Sequence, residues 1–424
     1  MGVGMPYLVI PITMSIDIGT LAYYWTKNKL RRGSRKNEFE DVSGLYNESD
    51  SIDALISKKP KKDVTVVISA HGEEKTIEKI VLDVFKQTYP IKNIYISDSN
   101  IDNTSRIINK LSKEFPNVYY WSKDGVIGKA EKINCLVRDT NVDLGYYVYL
   151  KDSSTKLAPD VLEKLVSGFT DENVAAVTSF GFVTPPDNYL AKYFHYGKEW
   201  VNKLGKFRKT AQQYRRAMFV VCGASFMVRS DILKNIEIPI GTKTEDTAYT
   251  WRLQEEGYKV GVVQDAVVSA EDVTTLESQL KQSFRWHTGT WQNLYLHKKD
   301  LFGPHSKAKA LAYSTILPGF IESTLYTATF VSLPIIYYFS PDFVEYFLIG
   351  DTALSFASPL ISMPLGGNPE ETPKEFFKTL RHYHQITAYK AMSSALWLSS
   401  GVKVAYDILS GKSEKWTDTW SILK

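Results

Sequence analysis

Val64-Thr65-Val66-Val67-Ile68, followed by the turn Ala70-His71-Gly72-Glu73-Glu74, is the stretch on which the fold turns. Five residues, four of them β-branched and apolar, with no polar alternation, describe a strand buried on both faces, as in a parallel sheet. A helical pattern follows from Lys75 to Gln87. Strand patterns recur at Asn93–Ser97, Val118–Trp121 and Leu144–Leu150, with helices expected over Thr104–Glu114 and Lys129–Arg138. Regular alternation of strand and helix predicts an open α/β sheet. Ligands of such sheets sit beyond the carboxyl ends of the strands, where Asp98 and Asp152 fall.

Beyond this alternation the chain continues with strand patterns at Ala175–Val177 and Phe180–Val183. A long aromatic helix over Tyr189–Lys206 reads as core packing. A strand with a glycine turn is expected over Val220–Val228, where Gly223 would let a ligand approach the backbone. Thr244-Glu245-Asp246 opens a helix running to Glu256, with Thr244 placed as its N-cap and the acids in its first turn. Capping explains Thr244 and one acid but does not require the pair. After the strand Lys259–Val263 comes Gln282-Ser283-Phe284-Arg285-Trp286. On a helix, Gln282, Arg285 and Trp286 share a face. An amide and a guanidinium suit a phosphate anion, and an indole offers a flat surface to a sugar ring.

The composition bounds these readings. The chain has 424 residues, with Lys+Arg 51 against Asp+Glu 47 and a net charge of +4. That charge is too small to argue for nucleic acid, and no nucleic-acid partner is expected. The two cysteines, Cys135 and Cys222, form neither a metal spacing nor a disulfide framework, and read as buried apolar side chains.

A membrane frame surrounds the α/β pattern. Met5–Trp25 is a mostly apolar run followed by Lys27, Lys29, Arg31, Arg32, Arg35 and Lys36, which places the next domain in the cytoplasm. Ala310–Phe339, Phe343–Leu365 and Ile386–Leu409 are further candidate spans. Glu370–Gln385 reads as an amphipathic interfacial segment. Asp17, Glu322, Glu345, Asp351, Lys390 and Lys403 interrupt these runs and are expected to face protein or a polar cavity. The expected organisation is an N-terminal anchor over 1–36, a linker over 37–62, a cytoplasmic catalytic domain over 63–300 and a C-terminal membrane region over 301–424. The expected location is the cell membrane, with a multi-pass topology.

Taken in order, Ser69-Ala70-His71-Gly72-Glu73-Glu74, Ser97-Asp98-Ser99, Gly128-Lys129-Ala130, Asp152-Ser153-Ser154, Gly223-Ala224, Thr244-Glu245-Asp246 and QSFRW resemble the motifs of family 2 glycosyltransferases. Within that family the likeness is to the membrane-bound synthases of hyaluronan, chitin, cellulose and poly-N-acetylglucosamine. Trp416-Thr417-Asp418-Thr419 is similar to their Trp-x-x-Thr ending. The resemblance covers roughly Val64–Leu296 and implies a GT-A-like fold with flanking transmembrane helices. It also implies inverting transfer from a nucleotide sugar, UDP-linked, to a growing polysaccharide.

By this resemblance Asp246, beside Glu245, is the general base. Glu73, Asp98, Lys129, Asp152, Gln282 and Arg285 hold the nucleotide sugar, and Trp286 and Gly223 face the acceptor. Asp152 and Ser154 stand where Mg2+ or Mn2+ is held, but Ser154 replaces the second acid of Asp-x-Asp, and Ser97 replaces the first acid of Asp-Asp-Gly. Both changes weaken the metal expectation. The expected partners are a nucleotide-sugar donor, a glycan or lipid-linked acceptor and the membrane, with a homo-oligomer left open. The alternatives are transfer of a single sugar to a lipid or short acceptor, and a non-catalytic scaffold.

Overall fold

A computed structural model describes residues 15–23, 62–98, 101–123, 128–365 and 372–416. The linker over 37–62, most of the anchor run and Thr417–Thr419 of the tail motif therefore lie wholly or almost wholly outside the described residues.

The opening stretch forms β1 (Val64–Ser69). Val64, Val66 and Ile68 enter one core cluster and Val67 enters the cluster on the opposite face, so both faces are covered. That is why the run shows no polar alternation. β2 (Ile91–Ser97), β3 (Val118–Trp121) and β4 (Tyr147–Asp152) extend the sheet. β5 (Lys156–Leu157), β6 (Val174–Thr184), β7 (Ser225–Arg229) and β8 (Lys259–Glu271) complete it. The spatial order is β3-β2-β1-β4-β7-β6-β8-β5.

β1 pairs in parallel with β2 and β4, and Ser69 lies opposite both Ser97 and Asp152. This register brings three strand ends to one edge. In the second half β7 runs antiparallel to both β4 and β6. The sheet is therefore mixed α/β.

Local boundaries also differ from the expectation. The strand expected over Val220–Val228 is confined to Ser225–Arg229, because Ser225 N–H donates to the Cys222 carbonyl (2.9 Å) and closes a turn around Gly223. The two runs near Phe180 do form one strand, β6, as their patterns suggest, and it continues past a register shift at Ser179/Phe180. β8 runs on to Glu271, well past Val263.

Residues 15–23 form α1. Ile77–Phe85 (α2), Thr104–Glu114 (α3), Lys129–Arg138 (α4) and Val161–Ser167 (α5) lie between strands. Tyr189–Arg215 (α6), Ser230–Asn235 (α7), Glu245–Glu255 (α8) and Leu276–Phe302 (α9) follow. The C-terminal part consists of α10 (Lys309–Phe339), α11 (Pro341–Leu365), α12 (Thr372–Arg381) and α13 (Tyr383–Leu409). Among the described residues α10 is the one helix long and apolar enough to cross a membrane. The polar residues that interrupt the other candidates largely find protein partners. Lys390 Nζ donates to Asp351 Oδ1 (2.8 Å) and Ser355 Oγ (2.7 Å) between α13 and α11. Asp17 on α1 pairs with Arg215 (2.6 Å) and Arg208 (3.3 Å) on α6. Glu345 is the contrary case and is exposed. Among the described residues Cys135 and Cys222 are buried and form no disulfide.

Candidate active site

At the carboxyl edge of the sheet lies an open cleft of about 180 Å³. Its walls include Lys129, Asp152, Ser154, Gly223, Glu245 and Asp246 from the sheet side, and Gln282, Arg285 and Trp286 from α9. The helical spacing of the last three does place them on one cleft-facing surface.

Lys129 opens α4 after Gly128, whose φ of 92° is a conformation that favours glycine. The buried Lys129 ammonium donates to Asp152 Oδ1 (2.5 Å) and to the Gly223 carbonyl (2.7 Å). Burial works against its charge, but Asp152, Glu245 and Asp246 outweigh burial and hold the ammonium above the usual lysine range.

Asp246 sits in the first turn of α8. Its Oδ2 accepts from Gly223 N–H (3.1 Å) and its Oδ1 from Thr247 N–H (2.7 Å). A Cβ on Gly223 would stand 2.7 Å from Asp246 Oδ2, so only glycine admits this approach. Thr244 occupies the N-cap position of α8, but its side chain does not cap. Its hydroxyl and carbonyl instead accept from Asn293 Nδ2 (3.0 and 3.2 Å) on α9, and Lys243 N–H donates to Gln292 Oε1 (3.0 Å). The helix carrying QSFRW thus also holds the Thr244–Asp246 loop in place. Gly289 makes this possible, since a Cβ there would lie 2.3 Å from Thr244 Oγ1.

Among the described residues Arg285 has neither a hydrogen bond nor an ion pair. Beside it, burial first, then Lys403 and Arg285, pull Lys243 below the usual lysine range. Two neighbouring cations in a cleft wall make a place for an anion.

The cleft does not gather every expected residue. Glu73 and Asp98 lie outside its walls. Glu73 accepts from Ser153 Oγ (2.5 Å), next to Asp152, and also from Thr76. Asp98 is buried at the end of β2, and Lys132 Nζ donates to its carbonyl (3.2 Å). Conversely, Lys198, Lys243, Glu271 and Asp272 line the cleft without having been singled out in the sequence. Lys198 lay inside an aromatic helix whose pattern spoke only for packing, and no local signal marked it.

For a divalent cation the donor set is thin. Asp152 supplies a carboxylate that Lys129 already engages, and Ser154 supplies a neutral hydroxyl. Among the described residues no group of three or more His, Cys, Asp or Glu side chains is arranged to hold a metal. The set fits an ion only with the ligand's own oxygens completing its shell.

Residues 60–289 match the family described as "Glycosyltransferase like family 2". The uncharacterized glycosyltransferase YaiP of Escherichia coli (strain K12) is 21% identical over 254 residues, 59% of this chain and 63% of that protein. The poly-beta-1,6-N-acetyl-D-glucosamine synthase of Staphylococcus aureus (strain COL) is 24% identical over 287 residues, 66% of this chain and 64% of that protein. The chain thus spans a little under two thirds of these relatives' length. Among solved structures, the mannosyltransferase PcManGT from Pyrobaculum calidifontis in complex with GDP-Man and Mn2+ superposes with a TM-score of 0.53 at 16% identity. That superposition covers 93% of this chain and 98% of the other, and identifies the fold as GT-A-like.

Proposed function

The chain belongs to glycosyltransferase family 2, and from that premise we propose that it is a membrane-embedded inverting transferase extending a polysaccharide from a UDP-sugar. The observation that carries this reading is the placement of the Asp246 carboxylate, the Arg285 guanidinium and the Trp286 indole in one cleft.

Asp246 takes the proton of the acceptor hydroxyl as that oxygen bonds to the anomeric carbon, and the bond from that carbon to the diphosphate breaks with inversion. The two backbone N–H bonds hold the carboxylate in register. Lys129, Lys243 and Arg285 are placed to neutralise the departing diphosphate. Trp286 gives the acceptor sugar a face to stack on. Asp152 and Ser154, with diphosphate oxygens, would hold Mg2+ or Mn2+, which when bound adds charge against the leaving group.

In this reading Glu73 and Asp98 hold the nucleoside end, outside the cleft proper. Residues 63–300 act as the cytoplasmic catalytic domain, and 301–424 are the membrane region. Exposed Leu325, Val331, Ile335, Phe339, Leu348 and Val402 on α10, α11 and α13 support contact with lipid.

Membranes containing the protein and radiolabelled UDP-sugars should form polymer, and Asp246→Asn should abolish it. Undiminished product in that variant would sink the mechanism. A second reading, addition of one sugar to a lipid or short acceptor, is favoured by the single helix that meets the length and apolarity of a span among the described residues. Product mass separates the two.

A further inference from the structure

A buried polar chain runs from α6 to the cleft. His195 and Lys198 lie one turn apart on α6 and meet Asp272, the residue that follows β8. Asp272 Oδ2 faces His195 Nδ1 (2.9 Å), and its Oδ1 accepts from Lys198 Nζ (2.5 Å) and from Val273 N–H (2.9 Å). Burial alone would raise the Asp272 carboxyl, but His195 and Lys198 outweigh it and hold it below the usual carboxylate range; burial also pulls the Lys198 ammonium below the usual lysine range, and the Asp272 carboxylate opposes that pull. Lys198 is only 3% exposed, so its position is set by these bonds and by packing. Its remaining reach is to the site: Nζ donates to Gln282 Oε1 (2.8 Å) and lies 5.2 Å from the centre of the Trp286 ring.

An ammonium only donates, so the Gln282 carbonyl oxygen must be the atom facing it. The amide is then left with its N–H2 end for the cleft. We propose that Lys198 is a positioning residue: it orients the Gln282 amide so that the residues α9 contributes to the cleft present donors alone, and thereby selects an acceptor-rich ligand group, a diphosphate oxygen. Replacing the lysine removes the constraint, and the amide can turn its oxygen toward the anion. This deepens the donor-binding reading above and rests on it.

The test is UDP binding by calorimetry to the full chain in detergent, as a double-mutant cycle. Lys198→Met and Gln282→Ala should each weaken binding about tenfold, and the double variant should be no weaker than either single, because both remove one oriented donor. Lys198→Arg should retain most of the affinity. Gln282→Glu keeps a partner for Lys198 but turns an anionic oxygen to the cleft, and should bind UDP more weakly than Gln282→Ala. This variant decides the matter even where Lys198→Met does not fold. Additive losses in the cycle, or wild-type affinity in Gln282→Glu, overturn the role of Lys198 alone. A wild-type chain that binds no UDP overturns the donor reading itself.

Discussion

At Asp246 both carboxylate oxygens accept backbone N–H groups, and one of those groups belongs to a glycine with no room for a methyl. Gly223→Ala should therefore shift the carboxylate and lower the transfer rate about 10²-fold, the scale on which a 1 Å misplacement acts. Thermal unfolding beside steady-state kinetics checks this, since a large fall in stability with normal kcat would contradict it. Arg285→Ala should likewise cost activity even at saturating metal, because its guanidinium has no protein partner among the described residues to share its work; a mild effect there counts against its role.

Lys151 gives a pH signature. Burial pulls its ammonium down to about 8 from 10.5, although Asp152, Glu73 and Asp83 act in the other direction. Between those two values the unfolded chain holds a proton that the folded chain has released, so stability rises with pH across that window. The gain is on the order of 3 kcal/mol, and below the window both states are protonated and the contribution is flat. Melting curves of wild type and Lys151→Met should diverge as pH climbs from about 8, with the rise missing in the variant. Parallel curves would show that Lys151 is not held in this way.

At the scale of elements, two glycines on long helices should behave in opposite ways. Gly289 on α9 abuts Thr244, where a Cβ would stand 2.3 Å from the hydroxyl, so Gly289→Ala must push the Thr244–Asp246 loop away from α9. A cost of about 1–3 kcal/mol is expected, with loss of transfer. Gly205 on α6 has nothing within 4 Å of such a Cβ, and Gly205→Ala should stabilise by up to about 1 kcal/mol through helix propensity. Denaturant midpoints of the two variants test the pair together. The helices themselves were plain in the chain: α3 and α4 fall where the periodicity put them, and Asp246 lies in the first turn of α8 as expected. What periodicity did not contain was the role of Gly289, because a glycine inside a helical pattern does not announce which neighbour it admits.

For the whole molecule, the N-terminal helix is tied to the rest through Asp17, which is 1% exposed and bonded to Arg208 and Arg215. Asp17→Ala leaves two guanidiniums without their carboxylate and should cost about 3–5 kcal/mol, read as a lower melting temperature in detergent. The same chain should partition with membranes and resist extraction by high salt, since the exposed apolar side chains of α10, α11 and α13 are what a bilayer would cover. Release by salt alone would remove the membrane reading.

The chain by itself determined the α/β alternation, the buried strand at Val64, the helical face of Gln282, Arg285 and Trp286, and the family. The strand and the helical face rest on spacing within one segment, the alternation on the succession of such segments, and the family on the resemblance of seven motifs taken in order; all of these are written directly in residue order. Only the tertiary structure decided that β7 runs antiparallel between β4 and β6, that Lys129 engages Asp152, that Asn293 and Gly289 seat the Thr244 loop, and that Lys198 reaches Gln282 across 84 positions of sequence. Those are pairings between distant segments. They depend on which faces meet in the packed molecule, and no periodicity within a single segment encodes that.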